Sequence, residues 1–135
     1  MAGYSGKPLA QKLGIKLEIS VITINEPTNY RSLIGKKVRF SNRPTAGCGF
    51  VHLFATRRSE LQAQLKRLRG RIADTGAIWV SWPKKSAHVP TDVTEDVVRA
   101  IALPLGFVDV KVCAVDETWS GLKLMIRREN RKSKK

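Results

Sequence analysis

Apolar residues recur along the chain with two different periods, one typical of strands and the other of helices. Runs rich in β-branched and aromatic residues predict strands at residues 17–24, 37–40, 50–55 and 77–81. The last run lies between two helical segments and is almost wholly apolar, which predicts a central parallel strand covered on both faces. Alternation through residues 108–114 and again through 122–126, with a long loop between them, predicts a C-terminal hairpin.

Two longer segments repeat their apolar residues every three or four positions and therefore predict amphipathic helices. We expect the first to start at Ser59, at a capping-box spacing from Gln62, and to end at residues 74–76. Its apolar stripe consists of Leu61, Leu65, Leu68 and Ile72. The second helix starts at the same spacing between Asp92 and Glu95. Its stripe consists of Val93, Val97, Ile101 and Leu105.

The order of these elements predicts the fold class. Short helices are expected at residues 5–13 and 30–34, so strands and helices alternate along most of the chain. Parallel strands need helical crossovers, which predicts an α/β fold with an open, mostly parallel Rossmann-like sheet, helices on both faces and a C-terminal antiparallel hairpin. We expect residues 1–128 to form one domain and residues 129–135 to be a basic, disordered tail.

The chain is strongly basic, with 25 Lys and Arg residues, 11 Asp and Glu residues and a formal net charge of +14. The excess lies in residues 1–80 and 121–135, and a field of this size speeds encounters with polyanions. No secretory signal pattern and no apolar run of about 18 residues is present. Cys48 and Cys113 are far apart and imply no disulfide framework. We therefore expect a cytoplasmic protein.

Residues 50–128 resemble the second half of a class I S-adenosylmethionine-dependent methyltransferase. The shared pattern is a strand, a helix ending in a D-x-G turn, the GAIWVSWPK strand, a helix closing in LGF, and a terminal hairpin. Four motifs are also similar to a family of small bacterial proteins of unknown function: SGKPLAQKLGIK, GAIWVSWPKK, TDVTEDVVR and VDVKVCAVDETWSGLK. This resemblance implies a methyltransferase-like core and brings no activity, cofactor or catalytic residues. Residues 18–49 depart from the family pattern.

The segment after the first strand lacks the glycines that let a backbone approach a dinucleotide or methyl donor. It reads INEPTNY, and Pro27 also removes an N–H group from it. The second strand ends at Phe40 and Ser41 without the usual acidic partner of a ribose. These departures favour a degenerate scaffold that binds no cofactor, and they argue against an enzyme without excluding one.

The candidate ligand-binding site lies where parallel strands end, because doubly wound sheets bind ligands there. Its residues are Asn25, Glu26, Trp82, Lys84, Lys85 and His88. In a functional interpretation Lys84 and Lys85 could hold an anion, while Trp82 offers a flat stacking surface and His88 a proton donor. The structural alternative is that Trp82 covers the end of the sheet and that both lysines are solvated.

Two other clusters are better explained by structure. Asp116, Glu117 and Trp119 could serve as acid, base and platform, but neighbouring carboxylates at a strand end point to opposite faces. A solvated turn with Trp119 folded onto the sheet is therefore expected. Metal binding is not expected, since Cys48 and His52 lie four residues apart in a strand and are separated by about 13 Å.

A basic surface could instead follow a phosphate backbone. The residues that would form it are Arg57, Arg58, Arg67, Arg71, Arg131, Lys132, Lys134 and Lys135. No helix-turn-helix, zinc-finger or RNA-platform motif is present to read bases.

Three functions are therefore open. The first is a non-catalytic, methyltransferase-like module that binds a protein partner or a small anionic ligand at residues 82–85. The second is a basic nucleic-acid-associated protein. The third is a reduced S-adenosylmethionine-dependent methyltransferase whose cofactor site contains no glycines.

Overall fold

The structure, a computed structural model, describes residues 9–15, 20–35 and 38–131. Within these ranges the chain forms one six-stranded sheet with the order β2-β1-β3-β4-β6-β5. The strands are β1 (Ser20–Ile24), β2 (Arg39–Ser41), β3 (Cys48–Phe54), β4 (Ile72–Pro83), β5 (Phe107–Ala114) and β6 (Trp119–Ile126). The helices are α1 (Leu9–Leu13), α2 (Tyr30–Ile34), α3 (Arg58–Arg69) and α4 (Glu95–Ala102). Short 3₁₀ turns lie at Lys85–Ala87, Leu103–Leu105 and Arg128–Asn130.

The pairing of the strands confirms the predicted fold class. β2, β1, β3 and β4 pair in parallel, whereas β6 pairs antiparallel with both β4 and β5. The order of the strands reverses at β1, because β2 lies on one side of it and β3 on the other. In doubly wound sheets, such a switch point is where ligands bind.

Alternate residues of the central strands point to opposite faces of the sheet, and each face carries its own apolar cluster. On one face, Leu53 and Val80 belong to the cluster that includes α3 and α4. On the other, Phe54 and Trp79 belong to the cluster that includes α1 and α2. Burial on both sides explains why residues 77–81 are almost wholly apolar.

Two hydrogen bonds between residues that are distant in sequence hold α1 against the sheet. The indole N–H of Trp79 donates to the carbonyl of Leu13 at 2.9 Å, and the Lys12 ammonium donates to the carbonyl of Ala114 at 2.7 Å. Gly14 then ends the helix in a left-handed conformation, with φ of 76°. The predicted helix at residues 5–13 is confirmed for residues 9–13, while residues 5–8, 17–19 and 37 of the predicted elements lie outside the described residues.

The helix after β3 is shorter than the sequence predicts. α3 ends at Arg69, and Ile72 begins β4, where it pairs with Cys48. The apolar spacing is misleading because Ile72 enters the same apolar cluster as the leucines of α3. Residues 73–76, which the pattern places at the end of a helix, belong to a part of β4 whose register with β3 shifts.

Neither predicted capping box forms. α3 begins at Arg58, whose backbone N–H donates to the carboxylate of Asp92 at 2.6 Å. α4 begins after Thr94, whose hydroxyl accepts a hydrogen bond from the N–H of Val97 at 3.3 Å. Asp92 therefore caps α3, which precedes β4, and not α4, which the sequence predicted it to start.

The remaining elements follow the prediction. The helix at Tyr30–Ile34 ends at Gly35, and four residues connect β5 to β6, as expected for a hairpin with a longer loop. None of the helices in the described ranges is long and apolar enough to cross a membrane.

Replacing Asp92 with alanine should lower the free energy of unfolding by about 1 kcal/mol, because the first turn of α3 loses its side-chain acceptor. The Asp92→Asn variant keeps an acceptor oxygen at the same position and should lose less. Denaturant unfolding of the three purified proteins measures both differences. Equal losses in the two variants would contradict the capping role.

Candidate functional site

The carboxyl ends of β1, β3 and β4 lie together at one edge of the sheet, which we call the carboxyl edge. The structure divides the predicted ligand-binding residues there into two groups, one after β1 and one after β4. The end of β3 lies between these two groups, and the loop between β4 and α4 covers it. The Thr91 hydroxyl and the Asp92 N–H both donate to the carbonyl of Thr56, at 2.7 and 3.3 Å.

The switch point between β1 and β3 is crossed by a side chain. Asn25 follows β1 in the left-handed conformation, with φ of 59°, which asparagine tolerates better than most residues. Its amide N–H groups donate to the carbonyl of Phe54 at 3.4 Å and to the carboxylate of Glu60 at 2.9 Å. These contacts join the end of β1 to the end of β3 and to the first turn of α3, where a ligand of this fold would lie.

Glu26 is also engaged within the protein. Its carboxylate accepts hydrogen bonds from the Thr23 hydroxyl and from Arg31, with the Arg31 Nε at 3.0 Å. Burial opposes ionisation, but the hydrogen bonds from Arg31 and Thr23 and the charge of Arg31 lower the pKa of Glu26 below its usual range. Glu26 is therefore an ionised carboxylate that is already paired.

Trp82, Lys84 and Lys85 do come together, in a groove of about 670 Å³ beside the end of β4. The opposite wall is the segment that enters α4, including Thr94, Glu95 and Asp96. Val89, Thr91 and Val93 complete the lining together with Pro83. We call this space the β4 groove.

The two walls of the β4 groove differ in charge. Lys84 is half-buried and Lys85 is exposed, whereas the α4 wall carries Glu95 and Asp96. Glu95 is paired with Arg99 on the same helix, so its charge is largely compensated. The first N–H groups of a helix have no partner within the helix, and because the Thr94 hydroxyl already accepts from Val97, those of Glu95 and Asp96 are left for an anion at this wall.

Two predicted roles are changed by the geometry. Trp82 is only 6% exposed and belongs to the apolar cluster with α3 and α4, so it forms a wall rather than an open stacking surface. His88 is exposed and does not line the β4 groove. It follows the Lys85–Ala87 turn with φ of 55°.

A buried polar cluster that the sequence did not indicate lies under α2. The ring of His52 connects two hydroxyl groups, with Nδ1 at 2.7 Å from the Tyr30 hydroxyl and Nε2 at 2.7 Å from the Ser81 hydroxyl. Phe54 stacks on the ring at 4.3 Å between centroids. A neutral imidazole has one donor and one acceptor nitrogen, so one hydroxyl donates to the ring and the other accepts from it.

This cluster resembles a nucleophile–base pair in composition, but it is closed to substrate. Tyr30, His52 and Ser81 are each at most 1% exposed. Burial lowers the pKa of His52 to about 3 and raises the pKa of Tyr30 above its usual range. The imidazole is therefore neutral and structural at physiological pH. No group of three or more His, Cys, Asp or Glu residues in the described ranges could hold a metal ion.

The hairpin loop forms the turn that the sequence predicts. The Asp116 carboxylate accepts hydrogen bonds from the N–H groups of Thr118 and Trp119, each at 2.8 Å. The Trp119 ring contacts Phe54 edge-to-face at 5.1 Å between centroids, on the α1 and α2 side of the sheet. These contacts explain the residues without a catalytic role.

The residues of the predicted nucleic-acid surface do not form one site. Arg57 and Arg58 lie at the start of α3, at the carboxyl edge. Arg67 and Arg71 lie at the opposite end of this helix. A helix of 12 residues is about 18 Å long, so the two pairs are far apart. Arg131 lies near the end of β6, and Lys132, Lys134 and Lys135 are outside the described residues.

Comparison with solved structures identifies the fold. A SAM-dependent methyltransferase from Aquifex aeolicus matches with a TM-score of 0.62 at 14% identity, over 87% of each chain. A protein described as a type 11 methyltransferase from Sulfolobus solfataricus matches with a TM-score of 0.62 at 11% identity, over 100% of this chain and 96% of that one. Aeropyrum pernix fibrillarin, solved with natively bound S-adenosyl-L-methionine, matches with a TM-score of 0.58 at 11% identity, over 87% and 73%.

No protein-family model and no curated protein matches the chain. The resemblance to a family of small proteins of unknown function therefore stays a prediction. At the identities of the matching structures, the likeness shows the fold alone. The chain has the Rossmann-like fold of SAM-dependent methyltransferases.

The residues at the switch point do not fit the methyl donor. Its binding would need a backbone that can be approached closely after β1, and residues 25–29 contain no glycine. The space at the end of β1 is instead crossed by the Asn25 side chain, which bonds Phe54 and Glu60. The helix that follows has only five residues.

The buried imidazole makes the stability of the fold depend on pH. Because burial lowers the pKa of His52 from 6.5 to about 3, the unfolded chain binds a proton that the folded chain excludes. This contribution is fully present above about pH 6.5 and is lost as the pH falls toward 3, at about 1.4 kcal/mol per pH unit. Between about pH 7 and pH 5, the free energy of unfolding should therefore fall by about 2 kcal/mol.

Denaturant unfolding at several pH values measures this loss, with the His52→Gln variant as the control that cannot titrate. The difference in pH dependence between the two proteins isolates the histidine. NMR of the His52 ring in the native protein gives a second measurement that needs no variant. A ring that becomes protonated in the folded state near pH 6 would contradict the assignment.

Proposed function

We propose that the chain is a non-catalytic module with a methyltransferase fold that binds a small anionic ligand in the β4 groove. The observation that carries this proposal is that Trp82, Lys84 and Lys85 line the same groove, beside the first turn of α4. Its volume of about 670 Å³ lies within the range of about 300–1,000 Å³ that is usual for small-molecule sites.

The groove offers an anion two kinds of positive partner. Lys84 and Lys85 supply ammonium groups, and the backbone of Lys84 is held in place because its N–H donates to the carbonyl of Thr118 at 2.8 Å. The N–H groups at the start of α4 supply donors from the other wall. Asp96 disfavours a large negative charge, so we favour a ligand with one phosphate or carboxylate group.

The apolar part of the lining indicates what else such a ligand carries. Val89 is the exposed apolar residue of this lining, at 37%, whereas Val93 and Trp82 are only 1% and 6% exposed. A ligand with a small apolar or planar body would bury this surface while its acidic group reaches the lysines. A small organic phosphate or carboxylate therefore fits the groove better than an inorganic ion does.

Methyl transfer is the competing function, because proteins of the same fold, including Aeropyrum pernix fibrillarin, were solved with the methyl donor bound. To bind that donor at its switch point, this chain would have to break the contacts of Asn25 with Phe54 and Glu60. The contacts favour binding in the β4 groove over methyl transfer.

The two functions are distinguished by following backbone amide resonances during titrations of the purified, nuclease-treated chain. Phenyl phosphate, as a simple aryl anion, should shift the amides of residues 84–87 and 94–96. The double variant Lys84→Ala, Lys85→Ala should weaken this binding at least about tenfold, since a charge-assisted contact contributes about 1.5 kcal/mol or more. S-adenosylmethionine should leave residues 25–30 and 55–57 unshifted.

A matched control removes the same charge elsewhere. Lys66 on α3 and Lys111 on β5 are both exposed and do not line the β4 groove. Their double replacement with alanine should leave binding of phenyl phosphate nearly unchanged. Stoichiometric binding of S-adenosylmethionine with shifts after β1 would overturn the proposal in favour of methyl transfer, and equal weakening in both double variants would reduce it to non-specific attraction.

A further inference from the structure

Three arginines converge on the end of the sheet opposite the β4 groove. Arg69 comes from the end of α3, whereas Arg127 and Arg131 flank the 3₁₀ turn after β6. Each guanidinium donates through Nε to a backbone carbonyl. The acceptors are, in the same order, Leu105 at 2.9 Å, Phe107 at 3.3 Å and Ile126 at 3.0 Å.

These acceptors are close together, because Phe107 pairs with Ile126 at the open end of the hairpin and Leu105 lies two residues before Phe107. Gly106 lies at the centre. A Cβ at Gly106 would be 3.2 Å from Nε of Arg69 and 3.0 Å from the side-chain amide of Asn130. We call the three arginines around Gly106 the arginine corner.

The arginine corner is ordered by the protein yet keeps most of its donors for a ligand. A guanidinium carries five N–H groups, and the bond to a carbonyl uses the one on Nε. Within the described ranges, the Nη atoms of these three arginines make no hydrogen bond. All three side chains are half-buried, so their positions are fixed before a ligand arrives and less entropy is lost on binding.

The surroundings add positive charge. Arg67, Arg71 and Arg128 are exposed next to the arginine corner in sequence. Of the nearby acids, Asp109 is paired with Arg99 at 2.9 Å, and Glu129 lies exposed in the Arg128–Asn130 turn. None of the ion pairs formed among described residues uses a corner arginine.

Fixed guanidinium groups with open Nη atoms match the geometry of phosphate oxygens, which they can bind in a bidentate way. No aromatic side chain is exposed at the corner within the described residues, so bases have nothing there to stack on. This favours the backbone of a duplex, where both strands present phosphates, over a single strand. It also predicts binding without sequence preference, since phosphate contacts carry no sequence information.

We propose that the arginine corner binds the phosphate backbone of duplex nucleic acid. The site differs from the surface expected from sequence, because Arg69 and Arg127 replace Arg57 and Arg58. It is also separate from the β4 groove. β6 runs between the two sites, and its eight residues span about 23 Å.

Fluorescence anisotropy of a short, mixed-sequence DNA duplex measures the binding of the full chain. If the three arginines each neutralise one phosphate, they contribute about 2.7 to the slope of log affinity against log salt, or about 40-fold between 50 and 200 mM salt. The variant Arg69→Gln, Arg127→Gln, Arg131→Gln should lose this part of the slope. A second variant, Arg69→Lys, Arg127→Lys, Arg131→Lys, keeps the charge but loses the guanidinium groups that bind phosphate in a bidentate way. It should therefore recover only part of the affinity.

The matched control replaces Arg57, Arg58 and Lys111 with glutamine, which removes the same charge at other places. It should keep nearly all of the affinity, and all variants are checked for folding by circular dichroism. Equal losses of affinity in the corner and control variants, or full recovery by the lysine variant, would mean that binding depends only on net charge. Either result would overturn the proposal. Binding to phosphatidylserine vesicles without binding to duplex would overturn it as well. The Lys84→Ala, Lys85→Ala variant should bind duplex normally, whether or not the groove binds an anion.

Discussion

The parallel pairing of β3 with β4 is the constraint on which the rest of the structure depends. Residues 50–54 lie beside residues 77–81, and both strands are buried on both faces. A shift of one residue in either strand would exchange its two sets of side chains between two different apolar clusters. The same register brings Ser81 within reach of His52 and ends both strands at the carboxyl edge. The position of the β4 groove therefore follows from this pairing.

Polar groups within the sheet and its switch point are satisfied by one another. His52 is held between two hydroxyl groups, and Asn25 and Glu26 are bonded to neighbouring elements. Among the buried side-chain oxygen and nitrogen atoms of the described residues, only the carbonyl oxygen of Gln64 lacks a hydrogen-bond partner, so the interior loses little stability to unpaired polar groups. Asn25 and Glu26 are engaged within the protein at the switch point, and the lysines and arginines that we propose as ligand contacts lie instead at the two ends of the sheet.

Sequence patterns predicted the sheet well and the polar contacts poorly. The apolar run at residues 77–81 is too short for a buried helix, so it indicates a strand covered on both faces. Ile72 was misplaced because a strand and a helix can deliver an apolar residue to the same cluster. The position of Lys84 and Lys85 beside the end of β4 could be predicted because they follow that strand directly. The arginine corner could not be predicted, because Arg69 and Arg127 are 58 residues apart and meet only through the carbonyls of the β5–β6 hairpin.

The cap that Asp92 provides for α3 links this helix to a loop that is distant from it in sequence. Asp92 is 34 residues from Arg58, and it lies beyond β4, in the loop that donates to the carbonyl of Thr56. A local cap would let the first turn of α3 form independently of β4 and this loop. Here that turn is completed by a non-local contact, which makes the opening of the loop and the fraying of the helix one cooperative unit in hydrogen exchange.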